Sequence, residues 1–368
     1  MQVQYTLEEL RRQGIPIQPY KETTNPVVKA YDLLYLRYQR PDLDRTCQEL
    51  MDFGLSLAHR DEETLLMRSA NEYPYCYINH KGAEAKFLGY GLSVTSREDL
   101  EKVAKLEGAS TIHILTTPGG GECVTLTDPS GFRVDVIYGM ETVASLQDRN
   151  TSVLNFPNKK ERVNDYIRWD SKAPQVHRLG HLALKSVNQR KQVEWLCQTF
   201  GILISDVHYL EDGTPVVAFL RFNRGKEVCH LHKFAIAAYV ENDIDHAGFE
   251  LLDMDAVAFG HRHLKERKAG WRSVWGIGRH WIASAVFDYW TDSDGYMHEH
   301  FADEDVFDAD HPTHYSVMAG SNLYMWGPEP PEFFKLTPRN IWKVIKAAAG
   351  DNELKLKHLL MTKRAIGR

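Results

Sequence analysis

Nowhere does the chain run eighteen apolar residues without interruption, so it offers no stretch suited to crossing a bilayer as a helix. Its first twenty residues, MQVQYTLEELRRQGIPIQPY, have no apolar centre of the signal-peptide kind, and the two absences together predict a cytoplasmic protein. Cysteine is scarce: Cys47, Cys76, Cys123, Cys197 and Cys229 are odd in number, far apart and never arranged as Cys-x-x-Cys. That argues against a disulfide framework and against a zinc ribbon. Positive charge is not in excess, and a net charge of -6 is the wrong sign for a protein that grips a phosphate backbone. Nucleic acid and membrane are therefore not expected partners.

What is present is an ordinary globular composition, 43% hydrophobic and 26% charged, in 368 residues. At roughly 150 residues per domain that length suits two domains. The pattern of segments repeats. Val27 to Tyr38 reads as a strand, Pro41 to about Met51 as a helix opened by Asp42 or Asp44, and Leu55–Ala58, Thr64–Arg68 and Tyr75–His80 as strands. A second such βαβββ unit follows: strand Phe87–Val94, helix Ser96–Leu106, strands near Ile112–Leu115, Glu122–Leu126 and Phe132–Tyr138. Polar residues from about Glu141 to Gln175 interrupt the pattern, which restarts with strand His177–Val187, helix Lys191–Phe200 and strands Ile202–Leu210 and Val216–Phe222. A strand at Asp245–Leu251, a helix at Met254–Lys268 and two further strands complete it.

The repeat is clearest where Thr127-Asp128-Pro129-Ser130-Gly131-Phe132-Arg133-Val134-Asp135 overlays Thr291-Asp292-Ser293-Asp294-Gly295-Tyr296-Met297-His298-Glu299. We expect an α+β fold of four βαβββ modules paired into two domains. The boundaries are a leader (1–24), an N-terminal domain (25–145), a connection (146–175), a C-terminal domain (176–305) and an extension (306–368). The extension carries Trp326-Gly327-Pro328-Glu329-Pro330-Pro331, a helix near Pro338–Ala349 and a basic tail read as solvated surface.

Three side chains on separate strands stand out: His181 in Leu179-Gly180-His181-Leu182, His246 in Asp245-His246-Ala247-Gly248, and Glu299. Two imidazoles and one carboxylate hold Fe(II), or Mn(II), on one face and leave the other positions open to substrate and oxygen. The pairs His261/His263 and His298/His300 are structural or surface residues on this reading. The first lies on a helix, where positions i and i+2 diverge, and the second shares the strand face opposite Glu299.

The order His280, apolar run, Tyr289, Asp292-Ser293-Asp294-Gly295 turn, Glu299 resembles the motif of the type I extradiol ring-cleavage dioxygenases of the vicinal oxygen chelate superfamily, the group of the catechol 2,3-dioxygenases and 2,3-dihydroxybiphenyl dioxygenases. Departures are Ser293 where proline is usual and Asp288 where an apolar residue precedes the tyrosine. The resemblance implies vicinal-oxygen-chelate (glyoxalase-like) domains, a metal at His181, His246 and Glu299, a homo-oligomer, O2 as co-substrate and meta cleavage of a catechol in aromatic compound catabolism. It places the acid/base histidine at His232, fourteen residues before His246, with His230 as competitor. His280 and Tyr289 would donate to the substrate or oxygen.

The N-terminal domain, whose aligned positions are about Asp32, Gly89 and Asp135, would be metal-free. Trp275, Trp281, Phe287 and Trp290 point to a bulky or hydrophobic catechol. Alternatives are a hydroxyphenylpyruvate-type dioxygenase of the same superfamily and a non-enzymatic ligand-binding protein of the same fold.

Overall fold

The computed structural model describes residues 4–169, 173–267, 270–331 and 355–366. A short helix, α1 (Leu7–Arg12), is closed by a capping box between Thr6 and Glu9. The first module is β1 (Ala30–Arg40), α2 (Leu43–Phe53), β2 (Ser56–Arg60), β3 (Thr64–Arg68) and β4 (Tyr77–Lys81). The second is β5 (Lys86–Val94), α3 (Arg97–Val103), β6 (His113–Ile114), β7 (Glu122–Thr127) and β8 (Arg133–Tyr138). Side chains set the helix starts: Asp42 accepts from the backbone N–H of Asp44 and Arg45, and Ser96 from that of Asp99.

In the second half, β9 (Arg178–Ser186), α4 (Gln189–Phe200), β10 (Leu203–Tyr209) and β11 (Pro215–Arg221) are followed by a two-residue strand, β12 (Cys229–His230), and then β13 (Phe234–Ala238), which closes the third module. The fourth is β14 (Asp243–Glu250), α5 (Met254–Arg267), β15 (Arg272–Arg279), β16 (Val286–Thr291) and β17 (Met297–Ala302). Beyond it come β18 (Val306–Phe307), β19 (His314–Val317) and a helix over Leu356–Ile366. Sequence patterning missed β13 and β15. The first is short and alanine-rich, and the second is broken by glycine, so neither shows a clear period of two. The helix expected near Pro338–Ala349 lies outside the described residues.

The modules join through their opening strands. β1 pairs antiparallel with β5 in an eight-stranded sheet, and β9 with β14 in a nine-stranded one. In each half the last strand of the second module returns parallel to its first, β8 along β5 and β17 along β14. The two overlaid turns are built alike: Asp128 and Asp292 each accept from the backbone N–H groups two and four residues on.

The two halves share one core. The Phe53 ring stacks on His300 at 3.8 Å, the Tyr77 hydroxyl lies 3.1 Å from His298 Nε2, and His300 Nε2 donates to the Phe53 carbonyl at 2.7 Å. Buried Arg40 meets Asp292 and Asp294 at 2.9 and 3.1 Å. Because side chains alternate along β17, His298 and His300 turn into this interface while Glu299 turns the other way. Burial pushes His298 down to about 4 and His300 down to about 3, so both are neutral core residues.

Candidate metal centre

Strand register brings the three predicted ligands together. Gly248 on β14 sits opposite both His181 on β9 and Glu299 on β17, and His246 is two residues away on the same face. A Cβ at position 248 would overlap the His181 imidazole, so this strand must carry glycine for the ring to lie across it. His181 Nε2 is 2.9 Å from Glu299 Oε2 and 3.3 Å from His246 Nε2, and His246 Nε2 is 3.5 Å from the same carboxylate oxygen. Three donors at right angles around an ion at about 2.1 Å would stand about 3.0 Å apart, so the spacing and the donor set of two imidazoles and one carboxylate fit a divalent first-row cation.

Electrostatics prepares the donors. Burial, with the His232 ring beside it, pushes His181 down to about 4, so its ring is neutral near pH 7. Burial alone would raise Glu299, but His181, His280 and His246 outweigh it and hold the carboxyl well below the usual range. Asp245 Oδ2 lies 2.8 Å from His246 Nδ1, which fixes that ring with Nδ1–H outward and the Nε2 lone pair inward. Lys185 in turn pairs with Asp245 at 2.9 Å. His181 Nδ1 is buried with no partner among the described residues.

His280 stands in the loop between β15 and β16. Its Nδ1–H donates to the Leu323 carbonyl at 2.7 Å, so in the neutral ring Nε2 accepts from the Tyr289 hydroxyl at 3.0 Å; Glu299 Oε1 is 3.6 Å away. Burial and the Glu299 carboxylate raise the Tyr289 phenol well above its ordinary value, which keeps it a donor. The chain after residue 306 thus reaches the site through a backbone carbonyl.

The two candidate acid/base histidines separate by environment. The His232 ring lies 4.1 Å from that of His181. His230 is engaged elsewhere, with Glu304 Oε2 2.9 Å from its Nδ1 and the Arg178 guanidinium against its Nε2. Among the described residues, His181, His232 and Glu304 form a second grouping of donor atoms. Both Glu304 oxygens are already taken by His230 and by the His232 backbone N–H, which favours the first trio.

Two expectations are corrected. Register places Tyr35, not Asp32, at the position equivalent to His181, since Tyr35 pairs with Gly91 and Gly91 with Asp135 as His181 and Glu299 pair with Gly248. Irregularities in β1 at Ala30/Asp32 and Leu33/Tyr35 shift the count, and Asp32 instead receives the Tyr73 hydroxyl at 3.1 Å and faces Arg224 at 3.3 Å. Trp290 does not face the site: alternation turns it to the opposite side from Tyr289, where it packs near His261 and donates to Asp288. The unusual Asp288 is explained there too, because His261 Nδ1 lies 3.0 Å from it. Sequence reasoning missed Lys185, Asp245 and Glu304. Only Asp245, adjacent to a ligand histidine, carried a local signal.

Paired modules of this kind make up the vicinal oxygen chelate fold seen in a glyoxalase and in extradiol ring-cleaving dioxygenases among solved structures, and the chain is similar in sequence to a metapyrocatechase. It is 28% identical over 298 residues to Metapyrocatechase 2 of Cupriavidus necator, covering 80% of this chain and 88% of that protein. Among solved structures it is similar to the Mn(II)-bound glyoxalase from Novosphingobium aromaticivorans, with a TM-score of 0.68 and 21% identity over 83% of this chain and 97% of that one. It is also similar to homoprotocatechuate 2,3-dioxygenase from Brevibacterium fuscum in complex with 3,4-dihydroxyphenylacetate, with a TM-score of 0.70 and 17% identity over 85% and 94%. A scan against protein-family models finds no match.

Proposed function

We propose that the chain is an extradiol (meta) ring-cleaving dioxygenase, an oxidoreductase that inserts both atoms of O2 into a catechol-type diol and opens the ring beside the diol to a muconic semialdehyde-type product. The observation that carries this reading is the convergence of His181, His246 and Glu299, with His232 on one side and the His280–Tyr289 pair on the other. The likeness to a metapyrocatechase, a catechol 2,3-dioxygenase, supports it.

The three ligands would hold Fe(II), and Mn(II) suits the same donors. Held there, such an ion would acidify the diol and would provide an electronic path between diol and oxygen. His232 accepts one catechol proton and returns it as the O–O bond breaks. Tyr289, kept protonated, and His280, oriented by the Leu323 carbonyl, hold developing negative charge in place.

The substrate would be an uncharged, bulky catechol. Leu231, Ile282, Ala283, Phe219, Trp281 and Phe307 form an apolar cluster on the His232 side, with Trp275 and Phe287 beside His280. Lys185, the cation next to His246, is already paired with Asp245. We place the enzyme in the cytoplasm, acting in aromatic compound catabolism, a reading with which its five free cysteines agree.

The test is anaerobic purification with Fe(II) followed by a panel of catechols assayed for the yellow ring-fission product, with apolar substituents turned over best. Bound iron without product from any catechol would sink the reading and return the chain to a hydroxyphenylpyruvate-type dioxygenase. Failure to bind metal would leave a ligand-binding protein.

A further inference from the structure

Glu304 is a buried carboxylate beside His232 that the reaction above leaves unused. Its side chain has no exposure, and the segment carrying it is tied down on both sides. Asp303 takes a left-handed turn at φ 61, the Asp305 N–H donates to the Ala283 carbonyl at 2.9 Å, and the Leu231 N–H donates to the Asp305 carbonyl at 2.9 Å. β12 and β18 then pair, His230 against Val306. This short ladder delivers one carboxylate beneath the segment His230-Leu231-His232.

There Glu304 bridges both histidines. Oε2 lies 2.9 Å from His230 Nδ1, while Oε1 accepts the His232 backbone N–H at 3.1 Å and stands 2.8 Å from His232 Nδ1. The ring approach is off the N–H axis, a close polar contact more than an aligned hydrogen bond. His230 is anchored from behind by Arg178, which pairs with Glu250. A lone carboxylate in this setting would cost several kcal/mol. Here the His230 Nδ1–H at Oε2 and the His232 backbone N–H at Oε1 offset that cost, and Oε1 also stands beside the His232 ring.

We infer that Glu304 is a positioning residue for His232. It holds the Nδ1 side of the ring and so leaves Nε2, across the ring, as the nitrogen free to serve the substrate beside His181. His230 is the second anchor of this clamp and not a competitor for the proton-transfer role. The inference rests on the reading of His232 as acid/base, and the experiments below separate the two.

Glu304→Gln keeps the size of the side chain and one acceptor but removes the charge. We expect kcat to fall about 10–100-fold, the usual cost of losing such a partner, with iron content and KM for the catechol within about twofold. Glu304→Asp should restore part of the loss. In a His232→Phe background, Glu304→Gln should lower kcat by less than about twofold, because the two residues act as one unit. An additive loss, or a loss of melting temperature with kcat unchanged, would overturn the inference. Crystal structures provide a readout independent of turnover: in Glu304→Ala, or in Glu304→Gln should the alanine variant not fold, the His232 ring should leave its place against His181. A ring that stays would overturn the clamp even if no catechol were cleaved, whereas a ring that moves in a protein inactive on every catechol would count against the reaction and not against the clamp.

Discussion

At the position that His181 holds on β9, β1 carries Tyr35; where Glu299 stands on β17, β8 carries Asp135; and where His246 stands on β14, β5 has Gly89. Even the crossing strand matches, since a Cβ at Gly91 would strike the Tyr35 ring as one at Gly248 would strike His181. In the N-terminal sheet the carboxylate is answered from within the chain. Asp135 receives Arg37 at 2.8 Å, Arg133 at 2.7 Å, the Tyr35 hydroxyl at 2.9 Å and the Thr125 hydroxyl at 2.8 Å. In the C-terminal sheet, Glu299 faces two imidazoles, that of His181 kept neutral by burial and that of His246 oriented by Asp245. The shared topology supplies convergence of three strands. Whether that convergence makes an exchangeable ion site or a permanent internal ion pair is decided by a few side chains.

The largest expected break in this comparison comes from Glu299→Gln, which should abolish iron binding and with it essentially all ring cleavage. Asp135→Asn should leave iron content untouched, as measured by metal analysis of the two purified proteins. Loss of iron in Asp135→Asn would mean that the N-terminal position is not independent of the metal centre. Next in size is Arg37→Met. Removing one partner of a buried ion pair costs about 3–5 kcal/mol, so urea unfolding should shift accordingly while metal content per folded molecule stays the same. A shift under about 1 kcal/mol would show that Arg133 alone suffices for Asp135.

The smallest effect is in pH dependence. Burial would raise Asp135, but Arg37 and Arg133 outweigh it and hold the folded carboxyl below its ordinary value. Its contribution is therefore complete above the unfolded pKa, about 4, and is lost only as pH falls through the still lower folded value. In the C-terminal sheet, burial pushes His208 down to about 4. Between about 6.5 and 4 the unfolded chain binds a proton that the native His208 refuses, so stability falls as pH drops through that window, by on the order of 2–3 kcal/mol. In His208→Phe the dependence should flatten between pH 7 and pH 4.5 by that amount. An unchanged slope in urea midpoints would remove His208 as its source.

Much of the architecture was legible because its signals are local. The Asp-x-x-Gly turns at Asp128 and Asp292 close on their own backbone, Asp42 and Ser96 cap the helices they precede, and period-two alternation alone separates Glu299 from His298 and His300. Register was less legible. Irregularities in β1 displaced the expected Asp32 by three positions to Tyr35, and no pattern of residue types marks where a strand slips. Glu304 lay beyond reach for a different reason: it meets His232 only because Asp305 bonds to Ala283 and Leu231, three segments far apart in the chain.

By itself, then, the sequence determined the four modules and which residues could coordinate, since turn, cap and alternation are written in near neighbours. Tertiary structure alone decided which of them meet, what fixes each imidazole, and that the N-terminal counterpart is filled by a phenol and two guanidinium groups. Those outcomes depend on register and on long-range closure, where a shift of one residue turns a side chain to the other face.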